Sequence, residues 1–118
     1  MTHGNIPSLT TRIRTFAQAR DWGQFHTPKN LAMALSVEVA ELTEHFQWLT
    51  TDEARALKDN PEAKAELESE VADIAIYLLR LADVLEIDVA SAIRAKMEEN
   101  EKRFPVHRAR GRSDGGKG

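Results

Sequence analysis

The chain has 118 residues, 42% of them hydrophobic and 30% charged, enough for one domain with one modest core and short for two. With 16 basic and 19 acidic side chains the net charge is −3, so nothing in the total favours nucleic acid or an anionic membrane as partner. The absence of cysteine excludes disulfides and thiolate chemistry, suits a reducing compartment, and leaves oxygen or imidazole as the only metal ligands.

The opening "MTHGNIPSLT" lacks the charged start and apolar middle of a secretory signal, and no apolar run approaches the ~20 residues that span a bilayer. A cytoplasmic protein without a membrane partner is expected. Residues 1 to 7 read as frayed, and a first helix is predicted from near Ser8 or Thr10 through Ile13, Phe16, Ala17 and Arg20, stopping around Gly23. The segment "DWGQFHTPKN" places Trp22, Phe25, His26 and Pro28 between two helices, bulky side chains where ordinary turn residues would suffice. A second helix is predicted from about Pro28 to about Trp48.

Thr50 with Glu53 forms a capping box that opens a short helix through about Lys58. Asn60 and Pro61 then start a long helix to about Leu85, and Asp88 caps a last one from Val89 to about Arg103, closed by Pro105. No strand-like alternation occurs, so the fold expected is an all-α bundle of four to five helices. The domain spans residues 1–105, and "VHRARGRSDGGKG" over 106–118, without an apolar repeat, reads as a flexible basic tail rather than a nucleic-acid arm. The long helix is apolar on two sides. One side needs the second helix; the other, with Val71, Ala75, Leu79 and Ala82, needs either the first helix or a second copy of the chain, and the homodimer is the more economical answer.

The chemistry-bearing feature is an acid in the wrong place. Leu31, Leu35, Leu42 and Leu49 mark the apolar stripe of the second helix, and Glu38 falls inside that stripe with Glu41 at its edge. The long helix repeats the device: Ala63, Leu67, Ile74, Leu81 and Leu85 form the stripe, Glu70 stands at its centre and Asp73 at its edge. Packed stripe to stripe, E-x-x-E and E-x-x-D bring four carboxylates to one level of the bundle, and an uncompensated buried ion costs several kcal/mol. A cation is required. An all-oxygen set points to Mg2+ or Mn2+ rather than Zn2+, and a ferritin-like di-iron centre would want Glu-x-x-His, a register His45 does not occupy. Mg2+ is commonly shared with substrate phosphates. Lys96, Asn100 and Arg103, at i, i+4 and i+7 of the last helix, present one face able to meet phosphate oxygens, and Trp22, Phe25 and Trp48 offer flat surfaces to a base.

The blocks "FHTPKNLAMALSVEVAELTEHFQW", "EVADIAIYLLRLA" and "KMEENEKRFPVH" resemble the MazG-like nucleoside triphosphate pyrophosphohydrolases and, within them, the dCTP pyrophosphatase branch; the likeness covers roughly residues 10–107. The paired acidic motifs, with 28 residues between Glu41 and Glu70, match the family's metal motif. The resemblance implies an all-α fold of tight dimers, often paired into tetramers, that cleaves a nucleoside triphosphate between the α and β phosphates to a monophosphate and pyrophosphate. It implies Glu38, Glu41, Glu70 and Asp73 as Mg2+ ligands; Tyr77, Lys96 and Asn100 as contacts to phosphates or sugar; and Trp22 and Trp48 around the base. His26, Lys29 and Asn30 fit the family's H-x-P-x-N block. Two positions depart from the pattern: Ile13 stands where the animal dCTP enzymes carry a histidine near the base, and Phe104 where a tyrosine is usual. Either Glu41 or Glu44 is suited to orient or deprotonate the attacking water. The alternative from another class is a helical oligomer that senses nucleotide without hydrolysing it.

Overall fold

In the computed structural model, residues 4–114 are described, and among them every regular element is helical. The elements are α1 (Ile6–Ala19), α2 (Pro28–Glu44), α3 (Thr51–Ala56), α4 (Pro61–Val84), α5 (Val89–Arg103) and α6 (Val106–Ala109), with a single 3-10 turn, Leu57–Asp59, between α3 and α4. The chain divides into two compact units, one ending at Glu86 and the other beginning at Ile87.

Local chemistry explains most element starts. Asn5, Thr27, Thr50, Asn60 and Asp88 each accept a backbone N–H of the first turn on a side-chain oxygen, satisfying donors that a helix leaves unpaired. Thr50 and Glu53 make the reciprocal capping box at 3.2 and 2.8 Å, and those bonds to Thr50 hold the Glu53 carboxyl below its ordinary value. Three differences from expectation stand out. The first helix begins earlier, at Ile6, because Asn5 caps it; residues 1–3 of the expected frayed start lie outside the described residues. α2 ends at Glu44 rather than Trp48: His45, Phe46 and Leu49 donate to carbonyls three residues back, a tighter turn that stops the helix without Gly or Pro. The basic tail opens with one helical turn, α6, where Pro105 supplies the N-cap and Arg108 Nη2 donates to the Arg103 carbonyl at 2.6 Å; residues 115–118 lie outside the described residues.

In the first unit α2 packs along α4, and α1 packs on the other side of α4. The buried core among the described residues is small: Ala17 of α1, Leu31 of α2 and Ala82 of α4. α1 therefore covers only the C-terminal end of the second apolar face of α4. Ala82 is buried, but Val71 and Ala75 remain exposed, and Leu9, Ile13 and Phe16 line an open apolar groove of about 480 Å3 with Ala75, Ile76 and Leu79. In the second unit α5 exposes Ile93 and Met97.

Candidate functional site

Because α2 and α4 present matching stripes, the acids embedded in those stripes face each other. Carboxylate oxygens of Glu38, Glu41 and Glu70 lie within 4.8 Å of one another. Glu38 and Glu70 are half-buried and Glu41 is exposed, so the cluster opens at one edge. Glu38 Oε2 and Glu70 Oε2 are buried without a hydrogen-bond partner. Such atoms are rare in folded proteins, because a charged acceptor stripped of water and given no donor is costly. Burial, then a hydrogen bond shared with Glu41 and the charges of Glu41, Asp73 and Glu70, push the Glu38 carboxyl above its ordinary value. An all-oxygen donor set with orphaned lone pairs and mutual repulsion fits a hard divalent cation.

Three of the four acids expected in the metal motif therefore come together. Asp73 stands apart from that triad; it lines an adjoining cavity of about 150 Å3, and its charge reaches Glu38. Glu44 borders the open side of the cluster with Glu41, His45 and Glu70. His45 is half-buried with Nε2 3.9 Å from Glu70 Oε1, too long for a hydrogen bond.

The cavity beside Asp73 gathers several expected substrate residues: Trp22, His26 and Tyr77 line it together with Ile13, Phe16 and Arg80. Trp22 is fixed from both sides, edge-on to Phe16 at 5.6 Å and to His26 at 6.0 Å between ring centroids. Burial, then the Arg80 charge, lower the His26 pKa from its ordinary value. Asn30 has a structural contact, its Nδ2 donating to the Phe25 carbonyl at 3.0 Å and clipping the loop that carries His26. Lys29 is exposed at the start of α2. Trp48 stands away from this group, 86% exposed on the turn after α2.

Lys96, Asn100 and Arg103 belong to the second unit. There Lys96 Nζ lies 3.5 Å from Glu99 Oε1, Asn100 is half-buried, and Arg103 lies over the Phe104 ring at 5.1 Å. Arg80, Asp83 and Arg14 escaped the sequence reading. The signal available was that Arg80 and Asp83 are the only charges in "IAIYLLRLADVL".

The sequence matches the MazG-like family over residues 33–117, most of the chain. The chain belongs to the MazG-like family. This MazG-like chain is 46% identical to dCTP pyrophosphatase 1 of Bos taurus over 96 residues, 81% of the chain and 57% of that protein. It is 45% identical to dCTP pyrophosphatase 1 of Homo sapiens over 98 residues, 83% of the chain and 58% of that protein. The chain thus spans a little over half the length of the curated relatives it matches. A solved pyrophosphatase from Archaeoglobus fulgidus DSM 4304 superposes with a TM-score of 0.76 at 46% identity, covering 84% of this MazG-like chain and 91% of that one.

Proposed function

We propose that the protein hydrolyses nucleoside triphosphates, deoxynucleotides of the dCTP kind or their modified forms, between the α and β phosphates to a nucleoside monophosphate and pyrophosphate. The observation that carries this reading is the cluster of Glu38, Glu41 and Glu70 across two helices, with Glu38 Oε2 and Glu70 Oε2 buried and partnerless. Relatives named dCTP pyrophosphatase, 45–46% identical, support the substrate class.

Glu38, Glu41 and Glu70 would hold Mg2+, or Mn2+ in its place, and Asp73, whose charge is felt at Glu38, would be the fourth acid of the set. Held there, such an ion would supply positive charge against the phosphate oxygens. Glu41 or Glu44, at the open edge of the cluster, orients or deprotonates the water whose oxygen ends on one of the two products. Trp22, His26 and Tyr77 receive the nucleoside in their shared cavity, while Trp48 supplies a second aromatic surface. Lys29 and Asn30 flank that site, and Lys96, Asn100 and Arg103, on one face of α5, are groups suited to phosphate oxygens. The apolar side chain of Ile13 lines the same cavity in place of the histidine of the animal dCTP enzymes and offers the base no hydrogen bond there.

Homodimerisation, or pairing of dimers into a tetramer, belongs to the same reading. A buried core of Ala17, Leu31 and Ala82 is meagre for a chain of 118 residues, and the groove beside Val71 and Ala75 asks for a second copy. A cysteine-free chain suits the cytoplasm.

Pyrophosphate release from a panel of ribo- and deoxynucleotides, with Mg2+ and with EDTA, tests the proposal. Release of equal amounts of monophosphate and pyrophosphate, abolished by EDTA, is the expected result. Tight Mg2+-dependent nucleotide binding without any pyrophosphate would replace the hydrolase with a sensor.

A further inference from the structure

Arg80 is only 8% exposed, in the apolar half of α4, where neither the acidic cluster nor helix packing calls for a guanidinium. Its bonds explain its place. Nε donates to His26 Nδ1 at 3.0 Å and Nη1 donates to Asp83 Oδ2 at 3.2 Å. Asp83 accepts in turn from Arg14 Nε at 2.8 Å and Arg14 Nη2 at 2.7 Å. A chain of charge-assisted bonds therefore runs from α1 through α4 to the loop before α2, and ends on an imidazole.

That end has a chemical consequence. A guanidinium donates only and stays charged at every working pH, so the ring nitrogen facing it must be bare. The neutral His26 ring then carries its proton on Nε2. Among the described residues Nε2 has no hydrogen-bond partner, although His26 lines the cavity with Trp22, Asp73 and Tyr77. Trp22, edge-on to the ring, restrains its rotation.

We infer that Arg80 is a positioning residue: by holding His26 Nδ1 it fixes the imidazole as an uncharged donor whose Nε2–H serves an uncharged acceptor of the nucleoside, a carbonyl or ether oxygen, in the cavity between α1 and α4. A protonated ring would suit a phosphate better, but it would forfeit the bond to Arg80. The inference rests on the nucleotide reading for its ligand and on the structure alone for the device.

The test has two stages. In 15N-labelled wild-type protein without metal or nucleotide, a scalar coupling across the Arg80 Nε–His26 Nδ1 hydrogen bond and a single tautomer protonated at Nε2 are expected. A ring protonated at Nδ1, or no coupling, overturns the inference before any variant is made. Mg2+ and the non-hydrolysable probe α,β-imido-dCTP are then added. The His26 Nε2 resonance should shift, and Arg80→Met should weaken probe binding roughly tenfold, with partial recovery in Arg80→Lys, which keeps a donor. His26→Phe, which leaves the Arg14–Asp83–Arg80 bonds in place, should lose the same affinity even if Arg80→Met does not fold. Unchanged affinity in His26→Phe, or equal losses in the Met and Lys variants, overturns the inference. Failure of the wild type to bind the probe overturns the nucleotide reading and the ligand assignment with it, while the coupling measured beforehand still reports on the device.

Discussion

Arg14 of α1 grips Asp83 of α4 through two nearly parallel bonds, Nε to Oδ2 at 2.8 Å and Nη2 to Oδ1 at 2.7 Å, joining residues 69 positions apart. The Asp83 side chain is 15% exposed, and the bond from Arg14, opposed by burial and aided by the charges of Arg14 and Arg80, holds its carboxyl below the ordinary value. A depressed folded-state pKa contributes stability that is complete above the unfolded value of about 3.9 and is lost as pH falls through the folded value. Asp83→Asn should therefore destabilise the protein at neutral pH by about 3 kcal/mol, because buried Arg80 loses its counter-charge. Urea midpoints of the wild type and the variant should converge on acidification below the folded pKa. A gap that stays constant with pH would remove the ion pair from the account. Arg14→Met should act in the same direction and less, since the Arg14 side chain is partly exposed.

The acidic cluster predicts the opposite sign. Without metal, Glu38→Gln and Glu70→Gln each remove a charge whose buried oxygen has no partner, so the metal-free variants should melt no lower than the wild type. Their melting temperatures should then fail to rise with Mg2+, whereas that of the wild type should rise. Thermal denaturation with EDTA and with Mg2+ reads both effects; a metal-free variant that melts well below the wild type would mean that these carboxylates hold the fold together.

Among the described residues, two that are not glycine sit in left-handed backbone that disfavours L side chains: Asp21, φ 53°, and Glu86, φ 57°. Asp21 closes α1, where its N–H donates to the Gln18 carbonyl and the Trp22 N–H to the Ala17 carbonyl. Asp21→Gly and Glu86→Gly should each stabilise by about 0.5–1 kcal/mol, the relief of left-handed strain outweighing the entropy glycine adds to the unfolded chain. Equilibrium unfolding checks this, and destabilisation of both variants would contradict it.

The two tryptophans should separate stability from binding. Trp48 is 86% exposed, so Trp48→Ala should change stability by no more than about 0.5 kcal/mol, while nucleotide affinity falls on the order of tenfold if a base stacks there. Trp22 touches Phe16 and His26, and Trp22→Ala should lower both stability and affinity. Unchanged nucleotide binding in Trp48→Ala would leave that residue without the role assigned to it.

Much of this architecture is legible in the residues themselves. Caps at Thr50, Asn60 and Asp88 announce their helices because a side-chain oxygen near an unpaired N–H is a local event. Glu38 and Glu70 are legible for a related reason: helical period shows which residues share a stripe, and an acid inside one is conspicuous. Period does not show which stripe meets which. Arg80 and His26 are 54 positions apart, and nothing in "IAIYLLRLADVL" says that its arginine reaches the loop before α2. The end of α2 at Glu44 was equally hidden, since a shift from four-residue to three-residue bonds over His45–Leu49 leaves no Gly or Pro in the sequence. Asp73 shares a helix with Glu70 yet lines a different cavity from the triad: three residues along α4 mean about 60° of rotation, enough to point a short side chain elsewhere.

Calorimetric titration of divalent cation into the metal-free protein bears most directly on the central claim that carboxylates of α2 and α4 jointly bind such an ion. Mg2+ or Mn2+ should bind saturably to the wild type and lose most of its affinity in Glu38→Gln, in Glu70→Gln and in the double variant alike, since one acid comes from each helix. Undiminished cation binding in the double variant, or none in the wild type with nucleotide present, would contradict it.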